Sequence, residues 1–236
     1  MNSINRRFKN LSGFLTLILL TAFLSGCSND TSVSGNGSIS EDNLMVNIKN
    51  DENVFDYNSI IIDEAKALIS KIELEKEPSG QNEIVINKLF VINLNSAEAI
   101  TQLASTKIPA GTYNKIKFNV HKPEDNETPP DPEFKEGNGG NQRYSVIIKG
   151  RYNGSSFVFK SGKSANIVLN FPDMINIQET LRNITLIINS SQWFKIGNDI
   201  INPSDPRFED VINENIKNSF KRAFKDDDRN GLPDDN

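Results

Sequence analysis

The chain closes on "DDDRNGLPDDN", residues 226–236, and the spacing of its oxygen donors is the most chemically specific pattern in the sequence. Asp226, Asp228, Asn230 and Asp234 fall on alternate positions, with Gly231 at the sixth place. In a tight loop alternate side chains turn toward one point, the seventh residue (Leu232) offers its backbone carbonyl, and glycine permits the sharp turn. Hard Ca²⁺ takes about six to eight oxygens in such a setting. The expected ligands are therefore Asp226, Asp228, Asn230, Leu232 through its carbonyl, and Asp234. The twelfth position of such a loop, normally a bidentate acid, falls one place beyond Asn236. The Asp235 side chain or the carboxylate of Asn236 would have to replace it, which predicts a weak site. The alternative is a soluble acidic tail that ends the preceding element.

The second distinctive residue is Cys27, the only cysteine in 236 residues. It follows a basic stretch with Arg6, Arg7 and Lys9 and an apolar run, "FLTLILLTAFL", at 14–24. Eleven apolar residues are too few for a membrane-spanning helix, which needs about 20. Basic start, short apolar middle and small residues before Cys27 describe an export signal over residues 1–26. An exported chain with one cysteine has no internal disulfide to explain it. The segment Leu24-Ser25-Gly26-Cys27 resembles the bacterial lipobox. That resemblance implies cleavage before Cys27, diacylglycerol on its thiol and a further acyl chain, such as palmitate, on the new amino group. One chain binds a membrane marginally, and two or three hold it. Ser28 in place of aspartate implies, by the same resemblance, the outer membrane. An ordinary signal peptide followed by a free thiol is the alternative.

Removing residues 1–26 takes away three basic and no acidic side chains, moving the net charge from −5 to −8. An acidic chain with no basic cluster argues against nucleic acid, whose binding rests on phosphate neutralisation. His121 is the sole histidine, so zinc sites built on several His or Cys are excluded. There is no G-x-S-x-G elbow and no glycine-rich phosphate loop after a strand. Paired carboxylates could serve a glycosidase, but among 31 acidic residues chance pairs are unavoidable.

The elements that must hold these residues are mostly strands. Serine, asparagine and glycine make 27–42 a flexible tether, whose fifteen residues after Cys27 reach at most on the order of 50 Å. From residue 43 to 203 the period is mainly two. "EIVINKLFVINL" carries apolar residues on both faces, Ile84, Ile86, Phe90, Ile92 and Leu94 on one of them. That predicts a strand covered on both sides. "YNKIKFNV" turns Ile116, Phe118 and Val120 inward. Two β-rich runs flank Asn153-Gly154, a type I′ hairpin signal. "ANIVLNF" and "NITLIINS" add further strands, and 61–75 reads as a strand although its spacing also fits a helix. "SAEAITQLAS" from Ser96 reads as one short helix or turn, and Pro, Gly and acids make 121–142 a disordered loop. Phe208, Val211, Ile212, Ile216, Phe220, Ala223 and Phe224 recur at three- and four-residue steps. With Asp205 as cap and Pro206 at the first position they predict an amphipathic helix within 204–225, packed on the sheets. The expected fold is mainly β: an antiparallel β-sandwich, Ig-like or transthyretin-like, with that C-terminal amphipathic helix and the 226–236 tail.

Around "IPAGTYNKIKFNV", residues 108–120, the chain resembles a family of bacterial lipoproteins with a β-rich domain of unknown function and an L-x-AGTY segment. The likeness covers about residues 38–190 and implies no activity or catalytic residue. The tail resembles the calcium loops of dockerins and thrombospondin type 3 repeats, implying Ca²⁺ as the bound ion. Together these readings predict a non-enzymatic binding or structural module held in the cell envelope through Cys27, its glycan or protein partner unspecified. One alternative is a carbohydrate-binding, adhesin or pilus-associated module, with Trp193, Phe194, Tyr144 and Tyr152 as candidate aromatics. Another is a hydrolase working through carboxylates of 121–142.

Overall fold

Period-two patterning becomes strand nearly everywhere the sequence places it. The computed structural model describes residues 42–51, 59–78, 81–94 and 100–234. Cys27, the export signal and the tether up to residue 41 lie outside these. The first five strands are β1 (Leu44–Asn50), β2 (Ile60–Glu77), β3 (Gln81–Asn93), β4 (Thr101–Thr106) and β5 (Gly111–Val120). Two-residue pieces β6 (Lys135–Glu136) and β7 (Gln142–Arg143) pair with each other, as do β12 (Lys195–Ile196) and β13 (Asp199–Ile200). Between them run β8 (Val146–Tyr152), β9 (Ser155–Ser161), β10 (Ala165–Ile177) and β11 (Arg182–Ile188), and β14 (Phe220–Lys225) comes last. Helix α1 (Glu209–Lys217) is short, and among the described residues no helix is long and apolar enough to cross a membrane.

The strands form a four-stranded sheet in the order β14-β11-β1-β4 and a larger one in the order β10-β5-β2-β8-β9. Strand β3 takes the opposite edge of β2, since Ile69 opposes both Phe90 of β3 and Val120 of β5. Pairing is antiparallel except between β1 and β11, which run parallel. Alternation turns Val46, Ile48, Ile184 and Leu186 of the smaller sheet and Ile72, Leu74, Ile116 and Phe118 of the larger one into a single apolar cluster. The β8–β9 turn is the expected hairpin, with Asn153 and Gly154 at φ 48° and 80°. Tyr113, fully buried, donates its hydroxyl to the Pro109 carbonyl at 2.7 Å and fixes the turn entering β5. Burial and the charge of Glu83 raise that phenol to about 12.

Four expectations need correction. First, the helix expected over 206–225 is a 3₁₀ turn (Pro206–Phe208) and α1, ending at Lys217. Asn218 and Ser219 close its last turn on the carbonyls of Glu214 and Ile216, and the chain then becomes β14. A bulge explains the misreading. Ile187 opposes Arg222 while Ile188 opposes Phe220, so the extra residue puts Phe220 and Ala223 on the same core-facing side at a helix-like spacing. Second, 121–142 is ordered, with two 3₁₀ turns, the β6–β7 pair and a fully buried Phe134. Phe134 packs on Leu68 and Ile147, which alternate with core residues and so face away from the main cluster. Third, residues 101–106 of the expected helix "SAEAITQLAS" are strand β4, paired with β1, while 95–99 lie outside the described residues. Fourth, β3 is not covered on both sides along its length, since Ile84 is 51% exposed. Register breaks between Ile69 and Lys71 and between Ile72 and Glu73 shift its phase.

Candidate metal centre

The C-terminal loop is positioned by β14, whose pairing with β11 carries Asp226 to the edge of the smaller sheet. The Asp226 N–H donates to the Asn183 carbonyl at 2.9 Å, continuing the ladder by one step. Its carboxylate is fully buried. Thr185 donates its hydroxyl to Asp226 Oδ2 at 2.6 Å, and the Gly231 N–H approaches both oxygens at 3.3 and 3.1 Å. Gly231 sits at φ +80°, and a side chain there would meet the Lys49 amine, 2.6 Å from the Cβ position. Glycine is therefore required twice over, by conformation and by space.

The remaining loop residues tie the turn to itself. The Asn230 N–H and side-chain amide donate to Asp228 at 3.1 and 2.7 Å, and the Leu232 N–H donates to Asn230 Oδ1 at 2.7 Å. Asp234 accepts from the Asp227 N–H at 2.6 Å and donates its own N–H to the Lys225 carbonyl at 3.0 Å. Asp227 points the other way. It pairs with Arg182 at 2.8 Å and accepts from the Asn183 N–H at 2.9 Å, clamping the loop to the start of β11.

Carboxylate oxygens of Asp226, Asp228 and Asp234 thus lie within 4.8 Å of one another. Two unit charges at that separation repel by about 1 kcal/mol in water and about 3 kcal/mol at an effective dielectric of ~20. A hard dication removes that repulsion, and an all-oxygen donor set suits Ca²⁺ better than a softer metal. The residues fit such an ion. Three of the five expected ligands converge. Asn230 and Leu232 share the loop, with Asn230 Oδ1 engaged by the Leu232 N–H, and Asp235 and Asn236 lie outside the described residues. Thr185, Asn183 and Arg182, which hold the loop, were not anticipated. Their signal is the polar alternation in "RNITLII", where Asn183 and Thr185 leave the core face.

A second charged cluster pins 121–142 to the larger sheet. The Lys66 amine, on a side chain only 11% exposed, meets Asp131 at 2.6 Å, Glu133 at 2.8 Å and Glu64 at 2.9 Å. Lys149 bridges Glu64 and Glu133 at 3.0 and 2.8 Å. Burial pushes the Lys66 ammonium down most strongly, yet its bonds to the three carboxylates together outweigh this and hold it above its ordinary value. The Lys66 bond likewise holds Asp131 below the usual carboxylate range. His121 pairs with Glu127 at 2.6 Å. Trp193 and Phe194 are buried, while Tyr144 and Tyr152 are half-buried.

No protein-family model matches the chain, and no curated protein sequence matches it. Among solved structures it is similar to MbnP from Methylosinus trichosporium, at 10% identity and a TM-score of 0.39 over 70% of this chain and 80% of that one. That likeness is too slight to carry a conclusion about fold or chemistry.

Proposed function

We propose that the protein is a lipid-anchored bacterial envelope protein, a non-enzymatic binding or structural module tethered through acylated Cys27 and most consistent with the outer membrane. The observation that carries this reading is the single cysteine, placed directly after a short apolar leader in Leu24-Ser25-Gly26-Cys27. Its folded part is a β-sandwich of Ig-like or transthyretin-like type, a reading supported by two sheets that share one apolar cluster. The C-terminal loop takes Ca²⁺ through Asp226, Asp228 and Asp234, with Asn230 and the Leu232 carbonyl beside them, and the ion holds β14 against β11. The acids a hydrolase would draw from 121–142, Asp131 and Glu133, are instead engaged by Lys66 and Lys149. A carbohydrate platform finds little support in Trp193 and Phe194, which are interior.

Mass spectrometry of protein purified from its native cell tests the anchor. The expected result is a mature N-terminus at Cys27 carrying diacylglycerol, and a free thiol behind an uncut leader would overturn it. Calorimetric Ca²⁺ titration with and without residues 226–236 tests the loop, where heat of binding should vanish with the truncation.

A further inference from the structure

We infer that the cavity beside α1 is a binding site for a short, uncharged peptide segment carrying an aliphatic side chain. The cavity measures about 580 Å³ and lies at one end of the larger sheet. Asp210, Asn213, Glu214 and Lys217, one face of α1 at three- and four-residue steps, line its helical wall. Across from them, Val120, Ala165, Ile216 and Phe220 give it an apolar floor.

The observation that points to a ligand is Asn213. Both its side-chain oxygen and its nitrogen are closed from solvent and have no hydrogen-bond partner. Native proteins satisfy nearly every buried polar group, with protein, water or ligand, because an unmet one forfeits its hydration without return. A primary amide presents one acceptor and one donor, the same pair a peptide group presents, so a peptide backbone answers both ends of Asn213. The rim sets the charge of the guest. Lys163 lies 3.5 Å from Asp210 and Lys217 lies 3.5 Å from Glu214, all four exposed, so positive and negative charges cancel. The floor calls for an aliphatic group. A sugar would need an open aromatic face to stack on, and the one aromatic residue in the lining, Phe220, is only 6% exposed.

The test is a titration of ¹⁵N-labelled protein with N-acetyl-leucinamide, a neutral probe with two amide groups and one aliphatic side chain. Saturable shifts are expected at the Asn213 side-chain NH₂ and at the backbone amides of Ser164, Ala165 and Lys217. Asn213→Leu should weaken binding by about tenfold or more, the loss of two hydrogen bonds, while leaving the fold intact. Ala165→Leu, which fills the floor without touching the amide, should block the probe as well and serves if Asn213→Leu does not fold. Three results would overturn the inference: shifts that never saturate, with an ordered water alone meeting Asn213 in a crystal; unchanged binding in both variants; or saturation by maltose and not by the amide.

Discussion

Gly231 shows how narrowly single residues of the C-terminal loop are specified. Its φ of +80° lies where an L-residue is strained, and the Lys49 amine occupies the space a Cβ would need. Gly231→Ala should cost roughly 1–2 kcal/mol from the backbone alone, since Lys49 is long enough to swing aside. Urea unfolding in the presence of chelator will read that loss. Asp226 behaves differently, because its carboxylate faces two tasks: it accepts from Thr185 and Gly231, and it supplies charge to the cluster with Asp228 and Asp234. Asp226→Asn keeps an acceptor for Thr185 and removes the charge. A rise in thermal midpoint on adding Ca²⁺ is expected for the native protein and should be largely absent in this variant, as thermal scans with and without the ion will show.

At the scale of elements, the 121–142 segment depends on Lys66. Its ammonium is the one cation shared by Asp131, Glu133 and Glu64, and Phe134 beneath it closes the small cluster with Leu68 and Ile147. Lys66→Met leaves three carboxylates with only Lys149 to balance two of them. Breaking a largely buried pair from one side costs about 3 kcal/mol. The loss should appear locally, as faster hydrogen exchange and proteolysis within 121–142, while the hairpin at Asn153-Gly154 stays protected. The C-terminal elements follow the same logic of neighbours. Strand β14 exists because β11 has an open edge beside it, and the acidic loop is placed because β14 ends there.

For the whole molecule, the sign of the pH dependence follows from these pairs. Asp131, Glu64 and Glu133 are held below their ordinary values of 3.8, 4.5 and 4.5; Lys66 bonding leads for the first two, and for Glu133 the bonds to Lys149 and Lys66 overcome burial, the largest single influence. A depressed carboxylate stabilises the fold above its unfolded value and loses that contribution as pH falls through the folded one. Lys66 and Lys149 are raised above 10.5, so their contribution is complete below that value and declines only in strong alkali. Stability should therefore be flat through neutral pH and fall from about pH 4.5 downward, with 121–142 loosening first. Chemical denaturation between pH 3 and 8 will test this, and in Lys66→Met the acid-side slope should be shallower.

The sequence by itself determined most of the strands. Alternation in "YNKIKFNV" puts Ile116, Phe118 and Val120 in the core, Asn153-Gly154 makes its turn, and 61–75 is strand as expected. The acidic loop was legible too, because ligand spacing along a tight turn is a local property and Asp226, Asp228 and Asp234 do converge. What escaped the sequence depends on partners distant along the chain. The bulge that turns Phe220 and Ala223 onto one face is set by β11, and the order of 121–142 is set by Lys66, 65 residues before Asp131. Burial of Asp226 rests on Thr185, 41 positions away. Local periodicity cannot register such pairings, because their free energy arises only when the sheets assemble and bring buried charges and open strand edges together.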